Sequence, residues 1–330
     1  MVYLASHGYR VLAPDMRGFG YSDAPDAVED YDVFSILSDM ICLLHEVGWS
    51  RVCLVGHDWG AAVAWLFALL EPDYFPSVVC LSVPWQVRKI ESKDPIGRMK
   101  HMFGDMFFYI LYHNEVFRGS RDHGPAESEY NSNPEETIYR LWTDPKSVPT
   151  EKPQNKTNGL RRDGGFLVHI GGRPKHLPSW LSQDEFDYVV EQYKHSGFRG
   201  GVNYYRNISR NFRLTPQLRG RHVKQPSMFI LGEHDITIGF NPGGLKTVET
   251  NVKELCDDLR GFHVIRSEKN KSAGHWIMQE RPDEINKLLH SFLRQVDGDM
   301  KSSGWEYSAS SNSSTSSSSG GSSKRTRSKL

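Results

Sequence analysis

The chain has 330 residues with 40 basic and 40 acidic side chains, a formal net charge of zero, and 38% apolar and 12% aromatic residues. That balance removes the global electrostatic case for a nucleic-acid or anionic-membrane partner, and no apolar run approaches the roughly 18 residues of a spanning helix. The length suits one large domain with an insertion, or two domains. No secretory signal opens the chain. The cysteines at 42, 53, 80 and 256 form no C-x-x-C pair and read as buried, reduced thiols of an intracellular protein, not as disulfides or metal ligands.

In chain order, "YRVLAPDMRG" (Tyr9 to Gly18) reads as a short strand followed by a glycine-rich loop. Phe34, Leu37, Ile41, Leu44 and Val47 then recur at helical spacing, with Asp30 or Asp32 as the N-cap. "RVCLVG" is a near-continuous apolar run, as expected of a strand covered on both faces. A helix from about 60 to 70 follows, and "SVVCLSVP" gives a further strand. Strand and helix alternating at this spacing predict a parallel sheet in an α/β fold. From about Trp85 to Arg219 the alternation stops, and "FFYILYHNEVF" and "DEFDYVVEQYKHSGFRGGVNYYRNISRNF" read as the helical parts of an insertion. The pattern resumes with the strands "PSMFILGEHD" and "FHVIRSEKN" and the amphipathic helix "PDEINKLLHSFLRQV". The expected division is therefore a core first part (1–85), a helical cap insertion (86–218), a core second part (219–300) and a disordered serine-rich tail (301–330).

The chemistry gathers at strand ends. "LVGHDWG" runs a strand through a tight turn into a helix and lifts Asp58 where a serine stands in the G-x-S-x-G elbow. From the pentapeptide "GHDWG" alone, a plain N-cap aspartate is an equal reading. Two further residues favour chemistry: Asp235 ends the strand after the insertion, and His275 lies in "SAGHW" after the last strand. Nucleophile, acid, histidine is the chain order of α/β-hydrolases. A carboxylate is already ionised at neutral pH, so it can attack an sp3 carbon directly and form an ester. His275, oriented by Asp235, would then activate the water that hydrolyses that ester. No metal or organic cofactor is expected.

Taken together, "APDMRGFGYSD", "GHDWGAAVAW", "SGFRGGVNYYRN" and "AGHWIMQERPDEIN" resemble the epoxide hydrolases of the α/β-hydrolase superfamily from about Tyr9 to Val296. The resemblance implies a mostly parallel sheet flanked by helices, a helical cap, and conversion of a small hydrophobic epoxide and water to a vicinal diol. It implies that two cap tyrosines donate to the epoxide oxygen. One role falls on Tyr205, and the other on Tyr109, with Tyr112 as a rival. It also places the backbone N–H of Trp59, the substrate-binding residue after the nucleophile, in the oxyanion hole. The family's H-G-x-P loop, whose N–H would complete that hole, has no match in this sequence. The chain is read as beginning inside the family's first helix, without the preceding strands, one of which lies between "RVLAPD" and "RVCLVG" in the family sheet. Two open ladder edges and impaired activity are expected from that, since losing one oxyanion donor costs on the order of 10² to 10³ in rate.

A haloalkane dehalogenase shares an aspartate elbow and is the rival enzyme, and a hydrolase-fold protein that only binds a ligand is the reading from another class. The chain ends Ser328-Lys329-Leu330, an address read by the peroxisomal import receptor, with the cytoplasm as a second compartment. The sequence leaves oligomeric state open.

Overall fold

The computed structural model describes residues 1–120, 123–142, 165–170, 173–269 and 271–302. The expected serine-rich tail and its terminal tripeptide lie outside them. Four parallel strands, β1 (Cys53–His57), β2 (Ser77–Leu81), β3 (Ser227–Gly232) and β4 (Leu259–Ile265), form one sheet in the order β1-β2-β3-β4. Alternate residues of β2 and β3 face opposite helical layers. On one side Val78, Cys80, Phe229 and Leu231 pack on Ala61, Ala64 and Trp65 of a helix at Trp59–Leu70 and on Val248 and Val252 of a helix at Leu245–Leu255. On the other side Val79, Leu81, Met228 and Ile230 meet Ile285, Leu289 and Phe292 of the long terminal helix at Pro282–Ser302, with Leu4 of a short helix at Val2–Ser6. Two covered faces account for the near-continuous apolar strands.

The helices are numbered through the chain: α1 (Val2–Ser6), α2 (Val33–Glu46), α3 (Trp59–Leu70), α4 (Pro95–Phe103), α5 (Tyr109–His113), α6 (Pro125–Ser132), α7 (Pro134–Leu141), α8 (Phe166–His169), α9 (Gln183–Ser196), α10 (Arg199–Arg206), α11 (Ile208–Leu214), α12 (Leu245–Leu255), α13 (Ile277–Glu280) and α14 (Pro282–Ser302). Helices α4 to α11 lie between β2 and β3, where the alternation was expected to stop.

Three details differ from the sequence reading. Residues 9–15 join no ladder, and β1 is an edge strand. Aliphatic patterning specifies an extended backbone, whereas a strand also needs a neighbour within hydrogen-bonding distance. This segment instead packs Tyr9 and Val11 against the α14 layer. In α2, capped by Asp32 through the N–H groups of Phe34 and Ser35, the buried stripe is Val33, Ile36, Leu37 and Leu44, while Phe34 is exposed. Leu37, Ile41 and Leu44 thus face the core as expected, while Val33 and Ile36 take the place of Phe34 in the first turn. All four cysteines are free, but Cys42 lies on the exposed face of α2 and Cys53 is only partly buried.

Candidate active site

The elbow is built from the backbone upward. Gly56, the penultimate residue of β1, lies under the first turn of α3, where a Cβ would collide with the carbonyl oxygen of Gly60. That close approach requires glycine. Asp58 has φ 52° and ψ −119°, a strained conformation for a residue with a side chain. It is held there because its N–H donates to Leu81 O (3.3 Å) while its carbonyl accepts from the N–H groups of Ala61 (3.0 Å) and Ala62 (3.1 Å). The turn thereby projects the carboxylate beyond the sheet edge, where 36% of the side chain remains exposed.

The carboxylate is gripped on both oxygens. The Trp59 N–H donates to Oδ2 at 2.5 Å, and His275 Nε2 stands 3.1 Å from Oδ1. On the far side of the ring, His275 Nδ1 donates to Asp235 Oδ1 at 3.1 Å. Asp235 is buried and accepts on the same oxygen from the Thr237 N–H (2.9 Å) and hydroxyl (2.8 Å). Asp58, His275 and Asp235 thus form a single line of contacts across the carboxyl ends of the strands, where α/β sheets place their sites.

Burial alone would raise the Asp58 carboxyl. The hydrogen bond and charge of His275, aided by the Trp59 N–H, outweigh it and hold the group below its ordinary value. Burial likewise works against a charged His275, but hydrogen bonds and charges from Asp235 and Asp58 raise it to about 10. Each ring nitrogen of His275 thus stands 3.1 Å from a carboxyl oxygen, an arrangement that favours the protonated ring.

The insertion supplies the opposite wall. The Tyr205 ring packs edge-on against Trp59 at 4.8 Å between centroids. The rings of Tyr109 and Tyr205 meet edge to face, 5.8 Å apart. Burial pushes both phenols well above their ordinary values, and the negative charge of Asp58 adds to this in each case. Tyr112, the rival position, spends its hydroxyl on Glu129 at 3.0 Å.

The two tyrosines are tied together behind the wall. The Asn114 side chain donates to Tyr205 O (3.1 Å), and Arg206 forms a buried ion pair with Glu127 (2.7 Å) while donating to the carbonyls of His113 and Glu115. Helix α10 is also tied to the core. Gly18 and Gly200 touch backbone to backbone, where neither could carry a Cβ. The Tyr204 hydroxyl donates to Arg17 O (3.2 Å), and Asn207 donates to Val28 O (2.6 Å).

All six candidates read from the sequence, Asp58, Trp59, Asp235, His275, Tyr205 and Tyr109, therefore meet at one place. Several neighbours were not foreseen. The carbonyl of His275 accepts from His57 Nε2 (2.7 Å) and the Ser82 hydroxyl (3.2 Å). Burial and the adjacent His275 lower His57 below an ordinary histidine, as suits a neutral ring donating to a carbonyl. Tyr193 of α9 is raised to about 12 by burial and by Asp58. His57 could have been flagged by its place beside Asp58, but nothing in the spacing marks Tyr193. Among the described residues, the Asp58 carboxylate has no counterpart to the N–H that the H-G-x-P loop would supply, and no group of acidic, histidine or cysteine side chains is arranged to hold a metal ion.

Residues 1–111 match a family model described as the alpha/beta hydrolase fold. The chain is 36% identical to epoxide hydrolase A of Mycobacterium tuberculosis, over 89% of this chain and 84% of that protein. It is 33% identical to epoxide hydrolase 1 of Siraitia grosvenorii, over 89% and 86%. A crystal structure of epoxide hydrolase A from Mycobacterium thermoresistibile superposes with a TM-score of 0.75 at 35% identity, covering 89% of this chain and 85% of that one.

Proposed function

The chain belongs to the epoxide hydrolases of the α/β-hydrolase fold, and from that membership we propose that it opens an epoxide to a vicinal diol through an ester on Asp58. The observation that carries the mechanism is the line Asp58–His275–Asp235, with 3.1 Å at each contact and two phenols facing it.

In the first step Oδ1 of Asp58 attacks an epoxide carbon and the C–O bond to the ring oxygen breaks. Oδ2, already on the Trp59 N–H, becomes the ester carbonyl and remains in place to receive charge in the second step. The opening oxygen requires a proton donor, and Tyr109 and Tyr205 face the carboxylate as a pair of phenols.

Ester formation also resets His275. A neutral ester withdraws the charge and hydrogen bond of Asp58 that helped raise the imidazolium, so its affinity for a proton falls. One phenol gives its proton to the alkoxide, and the proton His275 sheds restores that phenol. His275 is then a base, held by Asp235, and takes a proton from the water that attacks the ester carbonyl. Collapse releases the diol and restores the carboxylate and the imidazolium.

The relatives and the phenol pair favour an epoxide over a chloroalkane, so the dehalogenase reading is not favoured. Helices α4 to α11 are assigned the role of a cap, and the peroxisome the role of destination, the latter on Ser328-Lys329-Leu330 alone. A fluorescent fusion that loses punctate localisation when those three residues are deleted supports the destination. The catalytic reading is tested by diol formation from styrene oxide with the purified 330-residue chain and its Asp58→Asn variant. Diol formation abolished by the substitution supports it. Diol formation that survives it, or ligand binding without product in the parent chain, contradicts it.

A further inference from the structure

We propose that Glu280 is a positioning residue for the second half-reaction, bracing the loop that aims His275 at the ester. The inference rests on the roles given above to Asp58 and His275.

The loop of residues 272–276 lies between the described part that follows β4 and the short helix α13, and Glu280 is the last residue of α13. Its carboxylate is the loop's organising group. Oε2 accepts from the Gly274 N–H at 2.7 Å and from the Ser272 hydroxyl at 2.7 Å, while Oε1 accepts from the Trp276 N–H at 3.0 Å. Gly274 and Trp276 are the two chain neighbours of His275, so one side chain fixes the backbone on both sides of the imidazole. The bond to Trp276 alone would be ordinary capping of α13. The bonds to Gly274 and Ser272 reach past the helix and serve the loop. The seat is close: a Cβ on Gly274 would stand 3.0 Å from Oε1. Opposing these bonds, the His275 carbonyl is held by His57 and Ser82. The imidazole thus projects from a backbone clamped between a carboxylate and two donors. Hydrogen bonds from N–H groups to a carboxylate are among the stronger ones available to a protein.

The two half-reactions depend on this clamp unequally. Asp58 is positioned by its own elbow, through Leu81, Ala61 and Ala62, and none of those bonds passes through Glu280. The water-activating step needs His275 Nε2 directed at a point beside the ester carbonyl, and that direction is set by the backbone Glu280 holds. Relaxing the brace should therefore slow ester hydrolysis far more than ester formation, and the covalent intermediate should accumulate. A residue that only stabilised the fold would not change the ratio of the two steps.

The experiment uses the full 330-residue chain with styrene oxide under quench-flow, scoring the covalent adduct by intact-protein mass and product as diol. In Glu280→Gln the hydrolysis rate should fall about tenfold or more while alkylation changes less than about threefold, since small misplacements of a catalytic group cost rate steeply. The steady-state adduct fraction should rise, in the order Glu280→Ala, Glu280→Gln, Ser272→Ala, parent. His275→Gln provides the reference for an arrested second step. If Glu280→Ala yields no folded protein, Glu280→Gln decides the matter. Equal losses in both steps, or an unchanged adduct fraction in Glu280→Gln, would overturn the proposal. Absence of adduct in every protein, His275→Gln included, would instead remove the Asp58 mechanism and this inference with it.

Discussion

The two halves of the site are held in different ways. The sheet edge carries Asp58 and Asp235 on turns fixed mostly by backbone hydrogen bonds, with strain at Asp58 maintained by β2 and the first turn of α3, and His275 on a loop braced from the core by Glu280, His57 and Ser82. The facing wall carries Tyr109 and Tyr205 on short helices whose mutual placement depends on side chains, chiefly Arg206 with Glu127 and Asn114 with the Tyr205 carbonyl. The first arrangement is stiff because the sheet cannot shift without losing its ladders. The second can be taken apart one side chain at a time. In physical terms, Asp58 belongs to the fold, and the two phenols belong to a network laid over it.

The comparison can be broken most severely at the sheet edge. Asp58→Asn should reduce diol formation on the order of 10⁴-fold with little change in thermal unfolding, as measured by product assay beside calorimetry. A loss of the same size accompanied by unfolding would show that the elbow depends on the carboxylate itself. On the opposite wall the expected effect is the reverse. Arg206→Met leaves Glu127 buried and unpaired, and should cost about 3–5 kcal/mol of stability. Urea unfolding checks this, and the double variant Arg206→Met/Glu127→Leu should recover most of the loss.

A finer test separates the phenols. Tyr205→Phe and Tyr109→Phe should each slow alkylation by about 10²-fold, as expected on removing a proton donor. Tyr112→Phe forfeits only its bond to Glu129, and should leave the rate within about threefold while costing about 1 kcal/mol of stability. Stopped-flow traces of the alkylation phase distinguish these outcomes.

The smallest effect is electrostatic. The His275 pKa is raised in the folded chain to about 10, so its pairing with the two carboxylates contributes fully below about 6.5, the ordinary histidine value. That contribution disappears as pH climbs towards 10. The melting temperature should accordingly fall between those limits, and His275→Gln should not show that fall. Asp58, whose pKa is lowered by the same pairing, keeps its contribution on the acid side until pH drops below the usual carboxylate range.

How far these features could be read from the sequence follows the same division. Strand-to-turn patterns marked Asp58, Asp235 and His275 because the local backbone fixes where those residues stand. Spacing could not separate Tyr109 from Tyr112, which lie in the same short helix. Their difference is a tertiary one, set by Glu129 on one side and Tyr205 on the other. Glu280 was visible only as part of the "QERPDEIN" run, since its partners are backbone N–H groups that no side-chain pattern reveals. The missing ladder at residues 9–15 has a similar cause: patterning describes one segment, whereas pairing requires two.

The central claim, that diol forms through an ester on Asp58 and not by direct attack of water on the epoxide, is tested most directly by a single turnover in H₂¹⁸O with enzyme in excess over styrene oxide. Water attacking the ester carbonyl must leave its oxygen on the carboxylate. The account predicts unlabelled diol and ¹⁸O in the peptide carrying Asp58. Label in the first-turnover diol, with none in that peptide, would contradict it.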